Sequence, residues 1–501
     1  MMKRLLLYII MGMAPFGVQA SGRQDTALVE HRSLWAAVGS AARQNPAIHG
    51  AAFATSYSEL ALKLDLQRQS EAFVPELGDG YTLPMLGVET FLRLSDRTAV
   101  WGGASYMTGK QHNVVWNSTS DFDLLQPYVL ADTLGGDTER ERYSFSGGYA
   151  TRLGRWLLGA EMLFRAEQEY RDFDPRMRGV VTDLSLRLGV ARNVVSRYRL
   201  GAAMEANIYK QTNSVDFYNE EGVIPEYQMT GLGTEYARFS GDKRSIYYEG
   251  GGMALLLSLS PQGTRGFYAD LSLDEYRHHR RVAEYNSMPL TDLFREHVGA
   301  TVGWRTEAAD RRLALFGQMD YTKRTGDEHV GGASDSRYFP TIARLTMYKN
   351  NLLDASLGAV YGRHCWNVRL HGGYQDVTEE YVYPHRQLDY SRAYGALDGQ
   401  LFVQAAQSLK LTFAAHFAYT ANVASTVTMP YANMDAKTTE LVKHKADYAQ
   451  ASYTDFGASV RGDYAWPSTN YGLFAEVGGG AVLCSVGERQ LGLHAAIGIT
   501  F

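Results

Sequence analysis

The 501-residue chain has only two cysteines, Cys365 and Cys484, so it is not a disulfide scaffold. After the N-terminus no stretch approaches the roughly 20 consecutive apolar residues of a transmembrane helix. A formal net charge of -5 gives no strong basic patch, which argues against nucleic acid and acidic substrates as partners. The chain lacks G-x-S-x-G, H-E-x-x-H and Walker motifs, so it reads as a non-enzyme. No residue is assigned as catalytic or as a metal ligand, and no cofactor is expected. There is no repeat of about 40–50 residues, which excludes a propeller.

What is present points elsewhere. Aromatics at 12% and hydrophobic residues at 45% exclude a disordered chain. Mean hydropathy is slightly polar at -0.27, as in a transmembrane barrel whose strands turn half their side chains to a lumen. The N-terminus carries Lys3 and Arg4, then the short apolar run Leu5 to Met13, then the small residues Val18 and Ala20. This pattern predicts a signal peptide over residues 1–20. No cysteine follows the expected cut, so no lipid anchor is expected.

The body of the chain alternates apolar and polar residues. In "ELALKLDLQRQ" (59–69), leucines at 60, 62, 64 and 66 oppose Ala61, Lys63, Asp65 and Gln67. The same period of two runs through 198–209, 409–421 and 489–501. Between strands, short connections (152–155, 192–197, 260–265, 307–312, 362–366, 406–410, 465–470) alternate with long ones (about 111–139, 212–244, 281–290, 325–350, 379–390 and 423–447). Short periplasmic turns alternate with long extracellular loops in outer-membrane barrels. We therefore expect an all-β fold: one closed antiparallel transmembrane barrel of about 16–18 strands over 58–501 in the bacterial outer membrane. Trp156, Trp366 and Trp466 flank short turns, where an interfacial girdle would lie.

Residues 21–57 are expected to form a periplasmic or lumen-plugging segment. "SLWAAVGSAARQNP" (33–46) has Leu34, Val38, Ala41 and Ala42 at helical spacing and would stop at Pro46.

The lumen-facing parity carries Lys63, Asp65, Glu161, Arg165, Asp183, Arg187, Arg199, Glu205, Asp270, Asp320, Arg369, Arg461, Asp463 and Glu476. Such mixed signs predict an interior of ion pairs rather than a selectivity ring. "EYRHHRR" (275–281) reads as a solvated strand tip, because adjacent His278 and His279 point to opposite faces and cannot share a ligand. The acidic loop with Asp121, Asp123, Asp132 and Asp137 does not match a calcium loop, and Asp132 with Gly135–Gly136 reads as turn chemistry. Cys365 and Cys484 are placed at opposite rims and should be free thiols.

Three segments, 99–137, 143–176 and 180–192, resemble an outer-membrane barrel family of the Bacteroides group that carries only a domain-of-unknown-function label. Gln126-Pro127-Tyr128 with Asp132, "GGYA" (147–150) and "DPR" (174–176) carry that resemblance. It implies a fold and a location, and no catalytic residues. In "QNPAIHGAAF" (44–53), Asn45, Pro46 and Ala47 resemble the Asn-Pro-Ala triplet of long-chain fatty-acid outer-membrane channels, where it lies in a lumen plug. The terminal Phe501 resembles the closing aromatic that the outer-membrane assembly machinery reads. Outer-membrane lipid is the expected surrounding. The expected role is a porin-like channel or uptake component. The alternative is an accessory barrel beside a TonB-dependent transporter or a secretion complex.

Overall fold

The computed structural model describes residues 22–501 except 196, 220–225, 237–244, 284, 309, 334–338, 431–433, 468 and 470. The expected signal peptide lies outside the described residues. Eighteen antiparallel strands make one sheet, each joined to its neighbours in the chain. The first strand, Tyr57–Gln69, pairs with Gly80–Arg93 on one side and with the last strand, Arg489–Thr500, on the other. That second pairing closes the sheet, so no edge is left with unpaired backbone groups.

Alternation decides which face meets lipid. Leu62 is 50% exposed, and its neighbour Ala61 only 2%. Across the closing seam Leu62 faces Ile497 and Leu60 faces Ile499, and this oily stripe continues outward around the barrel. A closed sheet with an apolar outer belt is how strands cross a membrane, and the protein resides in the bacterial outer membrane.

The belt has an upper limit that the strands exceed. On Arg312–Gly331 the outward parity reads Leu313, Leu315, Gly317, Met319, Tyr321, and then Lys323, Thr325, Asp327, His329. Above Tyr321 the outward parity turns polar, yet ladder hydrogen bonds continue. This corrects the expected loop boundaries. Much of 281–290, 325–350 and 379–390 is strand, and the last of these connections shrinks to 382–385. Alternation fades there because it records one oily face, not the sheet itself. The tight turns gather at the rim where the first strand starts and the last ends. Trp156 and Trp466 lie exposed at that rim. Cys365 is exposed in one of its turns, Cys484 is buried at the far rim, and both are free.

The N-terminal segment differs from the expected helix over 33–46. A helix spans Gly22–Arg32, and 3-10 turns follow at Leu34–Ala37 and Ser40–Gln44. Gly39, at φ +68°, breaks any continuous helix between them. Pro46 starts a helix rather than stopping one. The Asn45 side chain accepts from the Ala47 amide at 3.0 Å and caps the short helix Pro46–His49, with proline at its first position.

Candidate functional site: the lumen and its two mouths

The N-terminal segment sits inside the tight-turn mouth. Arg32 pairs with Glu59 at 2.6 Å and reaches Glu476 at 3.8 Å. Arg461, itself buried, holds the same Glu59 at 3.1 Å, Asp463 at 2.8 Å and Glu476 at 3.6 Å. Two strands from Arg461 along the same wall, the Leu34 amide donates to Gln400 at 2.9 Å, and Gln400 donates back to the Arg32 carbonyl at 3.1 Å.

Asn45 and Pro46 approach the wall where it lacks side chains. Gly159 faces the Pro46–Ala47 backbone and Gly189 faces Asn45, so a Cβ at either position would collide. Asn45 Nδ2 donates to the Val190 carbonyl at 3.2 Å, and Ala47 is fully buried. All three plug candidates from the sequence therefore lie at the contact. An aromatic group secures the next turn. His31 stacks on Phe53 at 4.0 Å, Phe53 meets Phe91 at 5.2 Å, and His49 lies 4.6 Å from Trp101. Burial, then the charge of Arg43, lowers the His49 pKa to about 4, so His49 is neutral in place.

Loops fold into the outer mouth. The loop between Thr98–Val114 and Gly136–Leu153 folds inward. Its Asp121 takes Arg165 at 2.6 Å and the Tyr209 hydroxyl at 2.8 Å. Burial, the largest single influence, would raise the Asp121 carboxyl, but the hydrogen bonds and charge of Arg165, the Tyr209 hydroxyl and the charge of Arg142 together hold the pKa below the usual carboxylate range. Leu130–Asp132, Glu226–Gly231 and Thr234–Glu235 form a small sheet inside the barrel. Arg280, 1% exposed, donates to the carbonyls of Met229 at 3.0 Å and Val129 at 3.1 Å, and to the Gln228 side chain. Around this sheet lies the largest apolar cluster, including Phe122, Leu125, Val129, Leu130, Ile246 and Val282. The helix Ala436–Ala449 completes the lid. Its Lys445 pairs with Glu379 at 2.8 Å, and Arg392 donates to the carbonyls of Tyr448 and Ala449 at 2.9 Å.

Two loop readings are settled here. Asp132 accepts from the Leu134 and Gly135 amides at 3.1 and 2.7 Å, which is turn chemistry as expected. The 275–281 stretch is not a solvated tip. His278 and Arg280 point into the lid core, while Arg277 and His279 point outward and pair with Asp292 at 2.8 and 2.5 Å. The lid brought by distant loops buries the inner face, and local alternation cannot reveal that.

The wall charges all take the inward parity, and many pair across strands. Arg187 joins Glu205 at 2.5 Å and Glu161 at 3.3 Å, and Glu161 also accepts from Trp101 at 2.7 Å. Arg165 reaches Asp183 at 3.2 Å, Arg369 holds Asp398 at 2.7 Å, and Asp320 meets His297 at 3.3 Å. Arg199 donates to Asn193 at 3.2 Å. Among the described residues Lys63 and Asp65 form no ion pair, and the Asp270 carboxyl has no hydrogen-bond partner. Between plug and lid a bay of about 480 Å³ is bounded by small side chains, Ala61, Gly87, Gly103, Ser105, Ser144 and Ser146, with Lys63, Arg165 and Asp183 at its margin. Sequence reading missed Arg32, Glu59, Asp121 and Gln400. Glu59 follows the inward parity of the first strand and was legible. The other three are set by loop and plug placement or by partners far along the chain.

Architecture and lumen together define a closed 18-stranded transmembrane β-barrel with its N-terminal segment folded into one mouth. A family model described as a family of unknown function, DUF6850, matches residues 46–501, and the chain belongs to that family. No curated protein matches the chain. Among solved structures it is similar to a mutant ferric enterobactin receptor, PfeA, from Pseudomonas aeruginosa (10% identity, 90% of this chain and 81% of that one, TM-score 0.39). It is similar also to BauA, the ferric preacinetobactin receptor from Acinetobacter baumannii (9%, 89% and 80%, 0.38), and to the copper transporter OprC (8%, 88% and 80%, 0.40). Likeness this distant says nothing about ligand or mechanism.

Proposed function

We propose that the protein is an outer-membrane uptake component: a channel whose lumen is plugged at rest by residues 22–56 and lidded by its own loops. The observation that carries this reading is the character of the plug's attachments. They are ion pairs, single hydrogen bonds and small aromatic contacts, which can exchange for water, rather than a continuous apolar core. The inward wall charges line the route a solute would follow, and Asn45, Pro46 and Ala47 seat the plug. No catalytic role is assigned to any of them.

Single-channel recording in planar bilayers tests the plug. The full chain should conduct weakly, and a chain lacking 28–52 should conduct far more. Equal conductance removes the plug role. A second reading, an accessory barrel docked to a transporter or secretion complex, draws on exposed loop aromatics: Phe173 is 80% and Tyr383 78% exposed. A silent deletion variant and a partner retained through native purification would favour it. Phe501 is read as the signal to the assembly machinery, and its removal should lower the amount of folded barrel in the membrane.

A further inference from the structure

The periplasmic side of the plug bounds a second cavity, of about 760 Å³, distinct from the bay above it. That is within the range of small-molecule sites, roughly 300–1,000 Å³. Its lining is strongly one-signed. Arg43 comes from the plug, and Arg199, Arg305, Arg312 and Lys410 come from the wall. Two carboxylates face it, and both are occupied. Glu30 accepts from the backbone amides of Ala54 at 2.6 Å and Thr55 at 3.1 Å, and Glu307 takes Arg312 at 2.7 Å. Among the described residues Arg43, Arg199 and Arg305 form no ion pair.

Arg43 and Arg305 line the same cavity from the plug and from the wall. Burial first, then the charge of Arg305, lowers the Arg43 pKa. Arg43 spends one donor on the Ala36 carbonyl at 2.6 Å and lies 5.2 Å over the Phe53 ring, which fixes its position. Glu307 offsets part of the Arg305 charge, whereas Arg43 has no ion-pair partner among the described residues, so two half-buried guanidiniums lining one cavity favour a bound anion. A planar fork of donors suits a carboxylate or phosphate better than a chloride.

We propose that this vestibule binds a small-molecule oxyanion, a carboxylate or phosphate, clamped between Arg43 of the plug and Arg305 of the wall, with Arg199 adding to the attracting field. Binding here requires only access from the periplasm and stands whether or not the barrel conducts.

The test uses the full-length protein in detergent and phenylglyoxal, which modifies accessible arginines, with modification read by peptide mass spectrometry. Inorganic phosphate, succinate and sodium chloride are compared at equal ionic strength. Phosphate, succinate or both should slow modification of Arg43 and Arg305, while chloride should not, and Arg97 in an exposed turn should be indifferent to all three. The protecting anion identifies the acid class. Equal effects of all three salts, or equal protection of Arg97, overturn the proposal. Arg305→Gln, checked for folding by heat-modifiable gel migration, should weaken phosphate or succinate protection of Arg43 about tenfold. A folded R305Q protein with unchanged half-saturation also overturns it. If that variant does not fold, the wild-type comparison decides alone.

Discussion

The segments folded into the two mouths of the barrel are held there by different physics. The outer lid has a hydrophobic core with a buried arginine at its centre, so opening it exposes apolar surface and orphans acceptors together. The inner plug has two small apolar clusters, around Ala47 and around Trp101, and is otherwise held by charge and hydrogen bonds that water can replace. The lid is part of the fold, and the plug is a ligand that happens to be covalently attached. This contrast says which end should move first.

The largest effect is expected at the lid. Arg280→Ala leaves the Met229 and Val129 carbonyls and the Gln228 side chain without their donor, at a cost of roughly 3–5 kcal/mol. Thermal melting should fall, and proteolysis within 115–135 should appear before any cut in the plug. Next comes pH. The pKa of His49 is about 4 in place and 6.5 when free, so protonation favours the undocked state. Plug docking should weaken as pH falls from 6.5 toward 4, by up to about 3 kcal/mol, and be insensitive above 6.5. Limited proteolysis of residues 22–56 across that range reads the effect, and His49→Gln should reduce it, leaving the contribution of His31, whose pKa burial also lowers. A lid that opens in step with the plug would break the contrast.

Arg32→Ala should release the plug without unfolding the barrel, at a cost of about 1.5–3 kcal/mol for hydrogen bonds to charged groups. Cutting within 22–56 with unchanged barrel melting is the expected signature. The smallest effect is expected at Asn45→Ala. Loss of the cap costs about 1 kcal/mol and should raise cutting of the segment only modestly.

The barrel was legible because lipid imposes a simple rule on half of each strand. Leu60 to Leu66 and Leu491 to Ile499 read as lipid-facing stripes, and they pair with each other across the seam. Legibility ended where that rule stops. Above Tyr321 the outward face is polar and the inner face is covered by loops, so no oily alternation remains and strand read as loop. The helix expected over 33–46 failed at Gly39, whose left-handed backbone ends the first turn. Arg165 and Arg187 were read as inward and paired, yet Asp121 as partner of Arg165 was not, since a loop 44 residues earlier delivers it. Local pattern shows which way a residue points, and only the closed fold shows what it meets.

The position of Glu59 sets an order of events. It lies on the first strand, while Arg461 and Glu476 lie on the antepenultimate and penultimate strands. These carboxylates come together only after the two ends of the chain have met and the cylinder has sealed. Arg32 therefore finds its full set of partners in a finished barrel alone, and arrival of the leading segment in the mouth marks the completion of assembly.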